Sequence, residues 1–179
     1  MADVEKIKSV VAYLASRTSP GKVKLFKLMY LADFAARVEL GRSITGDIYD
    51  NFPMGPVPHT LWQQFGSITR QCVHLTEVDT GAIPEQQMTA RDDFQPSLDV
   101  TEIAVLDRIV SRFGTWSGNQ LRDYTHRTIP YRASVPGDSL KYGLAAYLDY
   151  QKPSRADVDR LLADQTLMAE LREILSVPA

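Results

Sequence analysis

Apolar residues recur at helical spacing from the start of the chain. Val4, Ile7, Val11 and Leu14 share one face of a helix that Asp3 is placed to cap, which predicts a helix packed on one side only. Ser19-Pro20-Gly21 ends it; with Ser19 as N-cap and Pro20 in the first helical position, a second helix is expected to run to Gly41. In that stretch Val23, Leu25, Phe26, Leu28, Met29, Tyr30, Leu31, Ala32, Phe34 and Ala35 cover most of the circumference, the pattern of a helix surrounded by protein. From Ile44 to Phe52 the pattern changes. Ile44, Ile48 and Phe52 fall on one side of an extended segment, with Gly46 marking a bulge or a close backbone approach. Pro53, Gly55, Pro56 and Pro58 then keep the chain extended in a stiff turn, and Pro58 can open a helix through Trp62 and Phe65.

Beyond this turn, Val73–Val78, Asp79-Thr80-Gly81 and Gln86–Ala90 read as a hairpin. Asp99 with Glu102 forms a capping-box pattern for a helix that turns Ile103, Leu106, Ile109, Val110 and Phe113 inward and stops at Gly114. Ser117 with Gln120 repeats it for a helix carrying Leu121 and Tyr124. That helix finishes near His126, because Ile129 precedes Pro130 and is biased away from helix. A short helical pattern follows around Leu144–Tyr150. After a break at Pro153, a stretch begun by Ser154 places Leu161, Leu162, Met168, Leu171 and Leu175 on one face. The expectation is an α+β fold: a mostly helical single domain, 1–179, with a small antiparallel sheet or hairpin.

Composition narrows the classes. A chain of 179 residues can bury roughly 70% of the surface it exposes when unfolded, so no metal or disulfide staple is required. Apolar residues make up 44% and charged residues 23%, and no apolar run approaches the ~20 residues that span a bilayer. The N-terminus lacks a signal-peptide layout and the lone Cys72 cannot pair internally, so a cytoplasmic location is expected. Net charge is -2. The densest basic group, Lys22, Lys24 and Lys27, makes no stripe for a phosphate backbone, which disfavours nucleic acid as a partner.

Candidate chemistry is sparse. Ser67 lacks the flanking glycines of a nucleophile elbow, and GTWSG from Gly114 to Gly118 lacks the lysine and spacing of a phosphate loop. Cys72, His74, His59 and His126 lie in separate elements without a paired ligand motif, so no metal and no cofactor is expected, and Cys72 reads as a small strand hydrophobe. Trp62, Phe65, Phe26, Tyr30 and Phe34 occur at core spacing rather than as a stacking platform. Asp33 stands between Ala32 and Phe34 in apolar surroundings and must find donors: Arg37, backbone N–H groups at the Pro56 turn, or Tyr49. His126 reads as a helix-end histidine that fixes the corner into Ile129-Pro130-Tyr131.

Lys27-Leu28 with Met29-Tyr30-Leu31-Ala32-Asp33, then Gly41-Arg42-Ser43-Ile44-Thr45-Gly46 and Tyr49, then Gly55-Pro56-Val57-Pro58, resemble the Panacea domain, the family that includes the SocA-like antitoxins. The resemblance continues through Leu106-Asp107-Arg108-Ile109-Val110, Gly114, Leu121 and Thr125-His126 to Pro130-Tyr131. Ser43 stands where the family usually has proline, and Tyr131 where tryptophan is frequent. The resemblance implies a non-catalytic antitoxin that neutralises a cognate toxin, encoded beside it, by direct contact. One branch is similar to a proteolytic adaptor that presents its toxin to the ClpXP protease, so delivered degradation is a second mechanism. A phage or mobile-element interaction module without a toxin is the alternative from a different class, and an enzyme of unrecognised type is a third.

Many family members carry an additional N-terminal segment that varies with the toxin. This chain starts almost directly with the first helix, so recognition is expected on the domain itself. A rigid proline turn beside a sheet edge suits a preorganised interface. The partner surface is therefore expected around Tyr49 to His59, with Tyr49, Met54, Val57 and His59 singled out, Arg42 and Asp47 nearby, and His126 to Arg132, Tyr131 included, adjoining. Leu28, Tyr30, Asp33, Gly46, Gly55, Pro56 and Pro58 are expected to maintain the fold.

Overall fold

A computed structural model describes residues 2–78 and 85–149. Helix α1, Val4–Thr18, begins where the Asp3 carboxylate accepts the Glu5 and Lys6 N–H groups at 3.0 and 3.1 Å. Its burial is not one-sided. Every residue from Ile7 to Ala15 is buried, because α1 packs at once against α2 (Lys22–Glu39), α4 (Phe65–Cys72), α5 (Val100–Phe113) and the hairpin of β3 (Val73–Val78) and β4 (Glu85–Ala90). The polar residues that looked solvent-facing have partners. The Ser9 hydroxyl donates to Glu5 O and accepts from Ser97 N, and the Lys8 ammonium reaches the Glu5 carboxylate.

Ser19 closes α1 instead of opening α2. It holds φ +40° and donates its N–H to Ala15 O, and Pro20-Gly21 runs extended beside β4, with Pro20 O accepting from Met88 N and Gly21 bridged to Gln87. Helix α2 therefore starts at Lys22. It is buried without a break from Leu25 to Phe34, the central helix that its sequence predicts, and Gly41 turns the chain just past its end with φ +73°.

The extended segment is shorter than expected and out of phase. Only Tyr49–Phe52 forms a strand, β1; Tyr49 and Asn51 are buried, while Ile48 and Phe52 are exposed. Residues 43–48 wrap around the Asp33 carboxylate, with Gly46 at φ +65°, and this turn breaks the alternation that would have put Ile44, Ile48 and Phe52 on one face. Strand β1 pairs antiparallel with β2, Gly55–Pro58, from Tyr49 opposite Pro58 to Phe52 opposite Gly55. Residues 137–140 close the other edge of β1 through Asn51 N–H to Asp138 O, Gly137 N–H to Asn51 O and Leu140 N–H to Tyr49 O.

Pro58 stays extended at the N-cap position of α3, His59–Gln63, which breaks at Gln64 before α4. Cys72 ends α4 rather than lying on a strand; it is fully buried, and burial pushes its thiol up to about 12, so it is an inert packing group. The β3–β4 hairpin has the expected position, Val73 opposite Ala90 and Val78 opposite Glu85; its turn residues Asp79-Thr80-Gly81 lie outside the described residues.

Both capping boxes form. Asp99 accepts from Thr101 and Glu102 N–H while Glu102 accepts from Asp99 N–H, and Ser117 and Gln120 repeat the exchange at the start of α6, Gly118–Thr125. Leu106, Ile109 and Phe113 are buried on α5, with Ile103 and Val110 half-buried. Arg42 ties this start to the loop after α2, through Asp99 at 3.0 Å and Glu102 at 2.8 Å, and Lys6 adds a 2.6 Å bond to Glu102. Asp99→Ala is expected to lower the urea midpoint, because it removes both the cap of α5 and the Arg42 contact.

Helix α6 ends at His126 as expected, but Ile129 does not stay extended. Thr128 is the extended residue, and Ile129 opens α7, Ile129–Arg132, with Pro130 in its first turn. The pattern around Leu144–Tyr150 becomes a 3-10 helix over Tyr142–Tyr147. The break at Pro153 and the Ser154–Leu175 stretch lie outside the described residues. The fold class is the expected one: helices around α2, with two small two-stranded antiparallel sheets.

Candidate docking surface

The surface is built from the inside outward, beginning with Asp33. Its fully buried carboxylate accepts Ile44 N–H at 2.8 Å, Thr45 N–H at 2.9 Å, the Thr45 hydroxyl and the Tyr49 hydroxyl at 2.8 Å. Of the three expected partners only Tyr49 is used. Arg37 turns instead to Gly41 O, and the main-chain donors come from Ile44 and Thr45 rather than from the Pro56 turn. Burial raises the Asp33 pKa, and the donors around it act in the opposite direction.

Lys27 is 1% exposed, and its ammonium donates to Pro56 O at 2.8 Å. Burial pushes its amine down to about 7. The β1–β2 turn closes over it at Gly55, whose φ is +91°. A Cβ there would stand 3.0 Å from Lys27 Cε and 3.1 Å from both Lys27 Nζ and Thr125 Oγ1. Gly55→Ala is therefore expected to lower stability by about 2 kcal/mol, read as a lower urea midpoint, because strain and crowding add.

The far side of the turn is held by α6 and α7. Tyr131 donates its hydroxyl to Phe52 O at 2.9 Å, and Asn51 Nδ2 reaches Tyr131 O and Ser134 O. The His126 ring stacks on Tyr131, centroids 4.7 Å apart, with a buried Nε2 that has no hydrogen-bond partner among the described residues. Burial, then the charges of Lys27 and Arg122, lower its pKa, which keeps the imidazole neutral at pH 7.

These supports leave an apolar cleft of about 320 Å³ between the turn and α3. It is lined by Lys22, Val23, Phe26, Lys27, Phe52, Pro53, Met54, Val57 and Trp62. Trp62, expected in the core, is half-exposed at its lip: on a helix of little more than one turn, Leu61 takes the inward position and its neighbour cannot. The basic trio is largely absorbed by the fold. Lys24 donates to Gly114 O, Lys27 to Pro56 O, and the Lys22 ammonium lies 4.4 Å from the ring centroids of both Trp62 and Phe65.

The residues expected at a partner surface separate into two groups. Met54 and Arg132 are exposed, His59 and Arg42 present about half of their side chains, and His126 and Tyr131 are half-buried beside the turn. His59 Nδ1 is 2.6 Å from Asp50 Oδ2, and Gln63 Nε2 lies 2.9 Å from its other nitrogen. Asp47, Tyr49 and Val57 are placed inside. Tyr49 is packed against Tyr30, Phe34 and Tyr142, and Asp47 accepts the Thr60 and Leu61 N–H groups, supplying α3 with the cap that Pro58 cannot. Val57 reaches the surface only as part of the cleft wall.

Of the residues expected to hold the fold, Leu28, Tyr30, Asp33, Gly55, Pro56 and Pro58 are buried, and Tyr30 hydrogen-bonds Thr128 at 2.8 Å. Lys22 and Trp62 lie outside the expected partner surface, and Phe52 lies inside its Tyr49 to His59 stretch without being singled out. No local pattern signals their meeting at one cleft, since the arrangement of other elements brings them there.

Among the described residues no three His, Cys, Asp or Glu side chains gather to hold a metal ion, and no helix is long and apolar enough to cross a membrane. No curated protein and no solved structure matches the chain. A family model does: the antitoxin SocA-like, Panacea domain matches residues 25–130, a span that takes in α2 from Leu25 onward, both hairpins, α5 and α6. With more than half of its length inside that match, and the quoted motifs meeting at the Asp33 and Lys27 supports of the β1–β2 turn, the chain belongs to the SocA-like, Panacea-domain antitoxin family of toxin–antitoxin systems.

Proposed function

We propose that this chain, acting in the cytoplasm as one domain, is a non-catalytic antitoxin that neutralises a cognate toxin by direct contact at the β1–β2 turn and the cleft beside it. The observation that supports the reading most is the cluster of Phe52, Met54 and Trp62, all large, apolar and between a third and a half exposed, around one cleft. Single exposed apolar residues are ordinary, but a contiguous set on a stiff support suits a protein partner. The turn loses little freedom on binding, since Lys27, Tyr131 and Asn51 already hold it.

Co-expression with the protein encoded by the adjacent reading frame tests this. That protein alone should arrest growth, and the pair should grow and co-purify. Toxin that vanishes from cells holding ClpXP and persists in cells lacking it would mark delivery to the protease rather than blockade. A harmless neighbour would favour an interaction module of a mobile element.

A further inference from the structure

We infer that the cleft beside the β1–β2 turn receives a bulky apolar side chain of the toxin that has a carboxylate next to it, the carboxylate meeting Lys22; the inference rests on the antitoxin reading above. Shape and lining give the first half. Phe26, Phe52, Pro53, Met54 and Trp62 wall a space of about 320 Å³, at the small end of ligand pockets, and among the described residues of this wall no set of polar groups converges to orient a small molecule. An aromatic or long aliphatic side chain fills such a space and gains most from leaving water there.

Charge gives the second half. Lys22, half-buried, brings the accessible cation of this wall, since Lys27 is buried on Pro56 O, and among the described residues no Asp or Glu lines the cleft. Its ammonium is held over the Trp62 and Phe65 rings, 5.7 Å from that of Phe26, and forms no ion pair among the described residues. The rings fix the cation without cancelling its charge. Burial already lowers the Lys22 pKa, so the ammonium stands partly out of water, where an added carboxylate counts for more than on an open surface. A basic residue beside the anchor would instead be repelled.

The test uses the purified full chain and the protein from the adjacent reading frame, with binding followed by calorimetry at low and high salt and growth rescue scored in parallel. Trp62→Ala should weaken binding at least about tenfold. Lys22→Glu should weaken it more than Lys22→Gln does, with the difference shrinking at high salt. Lys22 is the first residue of α2, where a carboxylate favours the helix N-terminus, so Lys22→Glu should keep its urea midpoint and isolate recognition from folding. Substituting lysine for one acidic residue of the toxin should restore binding to Lys22→Glu.

Unchanged affinity of folded Trp62→Ala and Lys22→Glu would overturn the inference and leave the antitoxin reading standing. Tighter binding by Lys22→Glu would overturn it in favour of a basic segment. A dimer of the chain that Trp62→Ala splits would replace the toxin with a second copy. Failure of the unsubstituted chain to bind or to rescue would remove the antitoxin reading, and with it this occupant.

Discussion

Replacing Asp33 with alanine should destabilise the protein by about 4 kcal/mol, the range reached when a buried charged acceptor is removed and its donors are stranded. Four donors converge on this carboxylate: two N–H groups of the 44–45 turn and the hydroxyls of Thr45 and Tyr49. None of them has water to turn to, because Ile44, Thr45 and Tyr49 are all buried. Asp33→Asn keeps the shape and one acceptor oxygen, but its amide nitrogen faces donors, and about 2 kcal/mol should be lost. Urea unfolding followed by tryptophan fluorescence measures both. Equal, small losses for the two variants would mean that the 43–48 turn holds without the carboxylate. The consequence reaches the surface, since that turn carries Asp47, the remote cap of α3, and α3 carries Trp62.

Lys27→Met should reverse its stability relative to the parent chain as pH changes. The buried amine has its pKa lowered from 10.5 to about 7, so between those values the unfolded chain binds a proton that the folded chain does not. Stability from this group is complete above 10.5 and is lost as pH falls to about 7, a change on the order of 5 kcal/mol. Methionine carries no proton and fills a similar length, at the cost of leaving Pro56 O without its donor, about 1 kcal/mol. The variant should therefore be the more stable protein at pH 6 and the less stable one at pH 11. Denaturation curves at both pH values decide it, and parallel behaviour of the two proteins would show that Lys27 does not change protonation on folding.

How far the chain could be read ahead of its fold depended on the range of the interactions. The Asp99–Glu102 and Ser117–Gln120 boxes were legible because every bond in them spans three residues or fewer. The encircling apolar pattern of α2 was legible for a similar reason: a helix hydrophobic all round has to be central. Ser19 misled because a serine before proline suits a helix start. The neighbouring strand β4 recruited Pro20 and Gly21 instead and moved the start to Lys22. The phase of 44–52 misled because Asp33, from another element, bent the chain where simple alternation predicts a straight strand.

The candidate surface divides the same way. Met54 could be anticipated at the tip of a proline-stiffened turn, and its exposure agrees. Asp47 and Tyr49 could not be sorted from it, because their partners lie 13 or more residues away, in α3 for one and at Asp33 for the other. Trp62 and Lys22 were legible as an aromatic and a cation, but their meeting across the cleft was not.

By itself, then, the amino-acid order determined the α+β class, the central helix, the capped starts of α1, α5 and α6, the β3–β4 hairpin and the family, all properties of neighbouring residues and their spacing. Tertiary structure alone decided that α1 is buried on every side, that Asp47 and Tyr49 face inward, and that Phe52, Met54 and Trp62 share a cleft with Lys22. The physical reason is that capping and turn geometry are settled by bonds across a few residues, whereas burial is a sum over every element that packs against a side chain.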